Sequence, residues 1–185
     1  MRHMKKNRWG DLGKAALIGA FLTLSSVSAY ASEVSEKEIR VAVRAFGFAY
    51  NLPKGDLEIE IIYDHDNPKS HEEAQKLTEF LSGGFKVGSR RLTGKMLPVE
   101  EMGTTGNKIV FITNGMGQKY GKVFERASQH NQLTFTTDFG CVMAQKCVMG
   151  ISATPNIKIE VSRTATEASK LEFSQALKLM IREVE

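Results

Sequence analysis

This sequence predicts an α/β fold in which a mainly parallel sheet lies between two layers of helices. Three observations carry that expectation. Segments patterned as strands and as helices alternate along residues 36–185. Lys108-Ile109-Val110-Phe111-Ile112-Thr113 is an almost unbroken apolar run, the pattern of a strand covered on both faces. The 154 residues after Ala31 are enough to bury one core without metals or several disulfides. The expected organisation is a leader over 1–31 and a single domain over 32–185, with no repeat or linker.

The leader has the order basic, apolar, small. Arg2, Lys5, Lys6, Arg8 and Lys14 precede the apolar stretch Ala15–Leu24, and Ala29-Tyr30-Ala31 offers a small-x-small cleavage site. The apolar stretch is about ten residues, whereas a membrane span needs about twenty. The expectation is export to a bacterial periplasm with cleavage after Ala31 and no direct membrane insertion afterwards.

Ser35 and Glu38 fit a capping box opening a helix over 36–50, with Ile39, Val43, Phe46 and Tyr50 on one stripe. Pro53 and Gly55 break the chain. Leu57–Tyr63 alternates and then turns apolar, as a strand does. Asp64 to Pro68 is turn chemistry, and Ser70 with Glu73 opens a second helix to about Leu81. Phe85 to Leu92 reads as a strand that Lys95 to Val99 extends or replaces. After the Lys108–Thr113 strand, Asn114-Gly115 makes a stop and Met116 to His130 reads as a helix. Leu133–Thr137 is a further strand, ended by Asp138 and Gly140. Ile157–Val161 alternates as a half-exposed strand. Two helices, about 164–169 and 174–184, close the chain, the second with Leu177, Met180 and Ile181 as its stripe.

Electrostatics narrows the partners. The leader holds five of the 25 Lys and Arg and one of the 21 Asp and Glu, leaving 20 of each sign from Ser32 onward. A nucleic-acid partner calls for a basic excess on the domain itself, so none is expected. Arg90-Arg91 reads as a solvated strand end.

Both cysteines lie in one loop, Cys141-Val142-Met143-Ala144-Gln145-Lys146-Cys147. In an exported protein an even count favours a disulfide. A redox-responsive bond and a metal-binding pair remain alternatives, although zinc wants four ligands and disulfide exchangers use Cys-x-x-Cys. Met143 lies within the loop and Met149 just beyond it. The core is their first expectation, and a contact surface at Met143 is the alternative.

No catalytic signature is present. The chain has no Gly-x-Ser-x-Gly and no Ser-x-x-Lys with its companion motifs, and Gly115-Met116-Gly117 is too little for a phosphate loop. Asp64-His65-Asp66 with His71 offers metal-binding side chains, but adjacent turn residues point apart, so an Asx-turn is the simpler reading. A non-enzymatic protein without a cofactor or metal is expected. Ligands of open α/β sheets sit beyond the carboxyl ends of parallel strands, which here carry Asp64, Asn114 and Asp138. These three are the candidate ligand or partner contacts.

The succession of the Lys108–Thr113 strand, Met116–His130 helix and Leu133–Thr137 strand with Asp138-Phe139 resembles the small exported YfiR-like proteins. So do the ending, where Ile157–Val161 leads to Ala165-x-x-Ala168 and then 174–181, and the opening Phe46-Gly47-Phe48-Ala49-Tyr50-Asn51. The resemblance covers most of 36–185 and rests on apolar and small residues. It implies a domain akin to one lobe of a periplasmic binding protein. It also implies a regulator that binds and restrains the periplasmic part of an inner-membrane signalling protein of the diguanylate cyclase type, with Cys141 and Cys147 as a short-loop bridge. This sequence departs from the family in having a single cysteine pair, and Gly140-Cys141-Val142-Met143 where a glycine-rich stretch is usual. The alternative function is a one-lobed periplasmic small-molecule binder. A receptor normally closes two lobes over its ligand, which favours the protein-binding reading. A homodimer stays open on sequence grounds.

Overall fold

The computed structural model describes residues 34–185, so the expected leader and its cleavage site lie outside the described residues. Helix α1 spans Glu36–Phe46. Ser35 and Glu38 form the reciprocal capping box, and the stripe of Ile39, Ala42, Val43 and Phe46 is buried. The helix ends at Gly47 rather than at Tyr50, because the next residues bond to the chain's far end. Ser174 N–H donates to the Phe48 carbonyl at 2.9 Å and Tyr50 N–H to the Glu172 carbonyl at 3.0 Å.

Strand β1 (Leu57–Tyr63) leads to α2 (Pro68–Leu81). Its cap is Asn67, whose side chain accepts from Lys69 and Ser70, with Pro68 pre-set for the first turn. The next segment is a hairpin of β2 (Phe85–Val87) and β3 (Arg90–Pro98). Gly88 turns it at φ +61°, a left-handed conformation that suits glycine. Strand β4 (Ile109–Ile112) is followed by a 3-10 turn at Gly117–Lys119 and α3 (Tyr120–His130), then β5 (Leu133–Thr136).

The remainder departs from the sequence reading in two places. The start of the cysteine loop belongs to a short helix, α4 (Phe139–Met143), and the residues just after the loop, given no element from the sequence, form a strand, β6 (Met149–Ser152). After β7 (Lys158–Ser162) and α5 (Arg163–Ala168), the closing helix α6 covers only Gln175–Lys178. Arg182–Val184 is strand β8, paired in parallel with β7. That pairing satisfies backbone groups and overrides the helical stripe of Leu177, Met180 and Ile181.

All eight strands form one sheet in the order β2-β3-β1-β4-β5-β6-β7-β8. Pairing is parallel except in β2–β3 and β6–β7. Alternation along the strands divides the core in two. Ile59, Ile61, Phe111 and Phe135 join residues of α1 and α2 in one cluster. Ile62, Val110 and Ile112 join Val123 and Ala127 of α3 and Val142 of α4 in the other. Three layers result, as the sequence predicts. Phe135 lies 5.1 Å from both Phe46 and Phe111, ring centre to ring centre.

Gly94 of β3 lets α2 close onto the sheet. A Cβ there would stand 2.8 Å from Ile61 Cδ1 and 2.9 Å from Leu81 Cδ1.

The strand order reverses between β1 and β4. From β1 the chain crosses by α2 toward β3, while from β4 it crosses by α3 toward β5, on the opposite face. In open α/β sheets a ligand crevice forms outside the carboxyl ends of strands at such a switch point.

Candidate functional site

The switch point sets the loop after β1 beside the loop after β4, and their side chains bond to each other. Asp64 is largely buried. Its carboxylate pairs with Lys119 and accepts the Asp66 N–H at 2.9 Å, which is the Asx-turn read from the sequence. Its own N–H donates to Ser70 Oγ at 2.8 Å. Ser70 Oγ lies 2.6 Å from Thr113 Oγ1, and Asn67 Nδ2 donates to the Gly115 carbonyl at 3.0 Å.

Burial alone would raise the Asp64 carboxyl. The Lys119 ammonium and the Asp66 amide reverse this and hold it below the usual carboxylate range. Lys119 is correspondingly pushed up, chiefly by its hydrogen bond to Asp64. A second acid, Asp66, lies 3.3 Å from the Lys119 ammonium. His71 packs its ring against Tyr63 at 4.9 Å, so Asp64, His65, Asp66 and His71 do not converge. Among the described residues no group of three or more His, Cys, Asp or Glu could hold a metal ion.

Asn114 stands at the carboxyl end of β4, between α2 and β5. Its N–H donates to Glu73 Oε2 at 2.6 Å; its side-chain amide donates to Glu73 Oε1 at 2.8 Å and to Thr137 Oγ1 at 3.0 Å. Glu73 is buried and also accepts the Val34 N–H at 3.1 Å.

Asp138, beyond β5, caps α4 by accepting the Gly140 N–H at 2.8 Å, and its other oxygen accepts the Tyr120 hydroxyl. Burial and that carboxylate together push the Tyr120 phenol up. The adjacent residues Lys119 and Tyr120 thus each bind one of the predicted acids. The three candidate contacts lie at the strand ends as expected, each engaged by the chain's own groups. Sequence reasoning missed Lys119 and Tyr120, and it read Glu73 with Ser70 as the start of α2, whereas Asn67 caps that helix and Glu73 binds Asn114. The spacing of Glu73 along α2 places it on the buried stripe, and that was the available signal.

Cys141 and Cys147 are disulfide-bonded, with Cα atoms 5.4 Å apart, and both are fully buried. The bond sits in the α3-side cluster and closes the turn between α4 and β6. Met149 is buried as expected. Met143 instead stands 54% exposed, with Arg182 Nη2 3.9 Å from its sulfur.

Two further polar groups escaped the sequence reading. Glu60 is fully buried, because β1 is an interior strand rather than one with a solvated face. The Thr105 hydroxyl and Gln132 Nε2 donate to its carboxylate. Desolvation pushes this carboxyl up in spite of them. Arg90 and Arg91 are not one solvated strand end. Arg91 Nη2 donates to the Gly83 carbonyl at 3.0 Å, while Arg90 turns toward α1 and its Nη1 is buried.

The α/β fold, with its mainly parallel eight-stranded sheet, resembles one lobe of a periplasmic binding protein. Among solved structures, the chain is similar to the ligand-free, open structure of CD0873, a substrate binding protein with adhesive properties from Clostridium difficile. The TM-score is 0.57 at 12% identity, over 82% of this chain and 60% of that one. It is also similar to a conserved domain protein from Vibrio cholerae O1 biovar El Tor, with a TM-score of 0.55 at 9% identity, over 83% of this chain and 62% of the other. The chain therefore spans less than two thirds of either structure, and likeness at this identity concerns the fold alone. No protein-family model and no curated protein matches the chain.

Proposed function

We propose that this protein is an exported, non-enzymatic regulator that binds and restrains the periplasmic part of an inner-membrane signalling protein, of the diguanylate cyclase type that the YfiR-like resemblance implies. One observation carries the choice of a protein over a solute. At the strand ends, where a substrate-binding lobe would hold its ligand, the candidate side chains are already bonded to the chain's own groups. Lys119 neutralises Asp64, Glu73 and Thr137 take up Asn114, and Tyr120 binds Asp138. A solute entering there would have to replace hydrogen bonds already made, at about 0.5–1.5 kcal/mol net apiece and more for those to charged groups.

Surface elsewhere supports the same reading. A cleft of about 520 Å³ is lined by Tyr50, Leu171, Phe173 and Ile181, together with charged residues of both signs, Arg163 and Lys178 with Glu167, Glu172 and Glu183. Tyr50 and the neighbouring Leu179 and Met180 are 68%, 88% and 57% exposed. Exposed aromatic and methionine side chains beside charged groups are the composition of protein-binding patches. The disulfide suits the oxidising compartment that the leader implies.

The test is a crosslinking pull-down of the protein from its native cell envelope, followed by direct binding to the purified external domain of any cyclase recovered. Co-purification, together with a rise in cyclic-di-GMP when the gene is deleted, is expected. Unchanged cyclic-di-GMP, motility and biofilm under envelope stress would remove this reading. The second reading, a one-lobed small-molecule binder, draws on the substrate-binding structure to which the fold is similar. A saturable thermal shift in a broad metabolite screen, abolished by Asp138→Asn, would favour it.

A further inference from the structure

We propose that the cleft between the last turns of α1 and the β2–β3 hairpin binds a phosphate group, a property separate from the partner surface above. The cleft, about 340 Å³, is lined by Arg40, Arg44, Ser89 and Arg90 over Val43 and Val87. It lies at the amino end of β3, opposite the strand ends that carry Asp64, Asn114 and Asp138. Three arginines therefore line one cleft, and no acidic residue lines it. From Ser32 onward the chain has as many acidic as basic residues, so this is a local concentration of charge.

The partners of the three arginines differ. Arg40 is held by Glu36, with Nε 2.7 Å from its carboxylate, and its Cζ lies 4.6 Å over the Phe85 ring. It forms a fixed wall. The Arg44 guanidinium has no hydrogen-bond or ion-pair partner among the described residues. Its place in the last turn of α1, facing the negative end of the helix dipole, gives it a structural reason to be basic. Arg90 has no such reason. Its Nη1 is buried without a hydrogen-bond partner, and a buried, unpaired donor on a charged group carries a large desolvation cost. A multiply charged oxyanion at the mouth of the cleft would accept from the exposed Arg44 and from an Arg90 side chain turned outward to free its Nη1, in the forked geometry that guanidinium groups favour. The Ser89 hydroxyl and the open left-handed turn at Gly88 leave room for it.

The phosphate can be free or the headgroup of an anionic lipid, and the experiment separates these sources. The purified protein is titrated with inorganic phosphate and pyrophosphate by thermal shift. It is also sedimented with phosphatidylcholine vesicles with and without phosphatidylglycerol. The same is done for Arg44→Gln, Arg90→Gln and the remote surface control Lys54→Gln. A saturable response is expected, weakened about tenfold in each arginine variant, the loss of one charge-assisted hydrogen bond, and unchanged in Lys54→Gln. Without phosphate, Arg90→Gln is expected to melt no lower than the parent, which an arginine of purely structural role would not allow. Response to the free anions marks a solute site, and response to phosphatidylglycerol vesicles alone marks a headgroup site. No saturable response to any of the probes, or an equal response in parent and Arg44→Gln, overturns the proposal. Arg44 is exposed, so that variant keeps the test decisive should Arg90→Gln fail to fold.

Discussion

Glu73 receives both the backbone N–H and the side-chain amide of Asn114, at 2.6 and 2.8 Å. This joins α2 to the end of β4 across the switch point. Asn114→Ala removes the side-chain donor and leaves part of a buried carboxylate without it, which costs about 1–3 kcal/mol. Urea unfolding should show the lower midpoint with an unchanged slope. If the variant keeps full stability but loses binding to a solute or partner, Asn114 is a ligand contact rather than a brace.

The buried acids should give opposite pH dependences. Asp64 is held below the usual carboxylate range, so its contribution is complete above its unfolded value, about 3.9, and is lost as the pH falls through the lower folded value. Glu60 is pushed up, so the folded state keeps a proton that the unfolded chain releases from about pH 4.3 upward. In that window its contribution falls as pH rises. Glu60→Gln should therefore match or exceed the parent's melting temperature at pH 7 and lose that advantage near pH 4. Asp64→Asn should melt below the parent at pH 7 and converge with it below about pH 3. Parallel profiles for Glu60→Gln and parent across pH 4–8 would contradict the assignment.

Much of this was legible beforehand, and the failures share a cause. The Lys108–Thr113 run announced an interior strand because both faces are apolar, and Ser35 with Glu38 announced a helix start because the signal is local. Glu38 also accepts the Ala153 N–H at 2.9 Å, from far along the chain, and nothing local encodes that. Glu60 fell in the alternating part of the β1 pattern, and it is buried by tertiary partners that no local pattern encodes, Gln132 and the loop carrying Thr105. Strand β6 contains Gly150, which has no side chain to register in a pattern. A Cβ there would stand about 3.0 Å from Phe139 and Val142, so its absence lets both side chains close onto the strand. The site residues at the strand ends followed from a placement rule. Their partners Lys119 and Tyr120 did not, since pairing across loops is a tertiary fact.

The disulfide joins fully buried sulfurs, so under native conditions reductant and alkylating agent should label the cysteines only as the protein unfolds. Replacing both by alanine should cost about 2 kcal/mol on the chain-entropy account of so short a loop. Rapid native-state reduction, seen as mass gained on alkylation, would instead make the bond a redox sensor.

Gly94→Ala should destabilise by about 1–3 kcal/mol, the usual cost of overpacking, since the new methyl meets Ile61 and Leu81. Chemical denaturation reads this directly. Repacking with Leu81→Val in the same chain should recover part of the loss, and a wild-type midpoint for Gly94→Ala alone would show that α2 can slide.

The place of β1 has a kinetic consequence. Its neighbours on both sides, β3 and β4, are made later than β1 itself. During synthesis, Ile59, Ile61 and Ile62 wait unpaired until residues as distant as Ile112 have emerged. Non-local parallel pairing of this kind slows folding, toward milliseconds to seconds, and leaves an apolar strand open to wrong partners meanwhile. The cell must shelter this chain while its central strand waits for both neighbours.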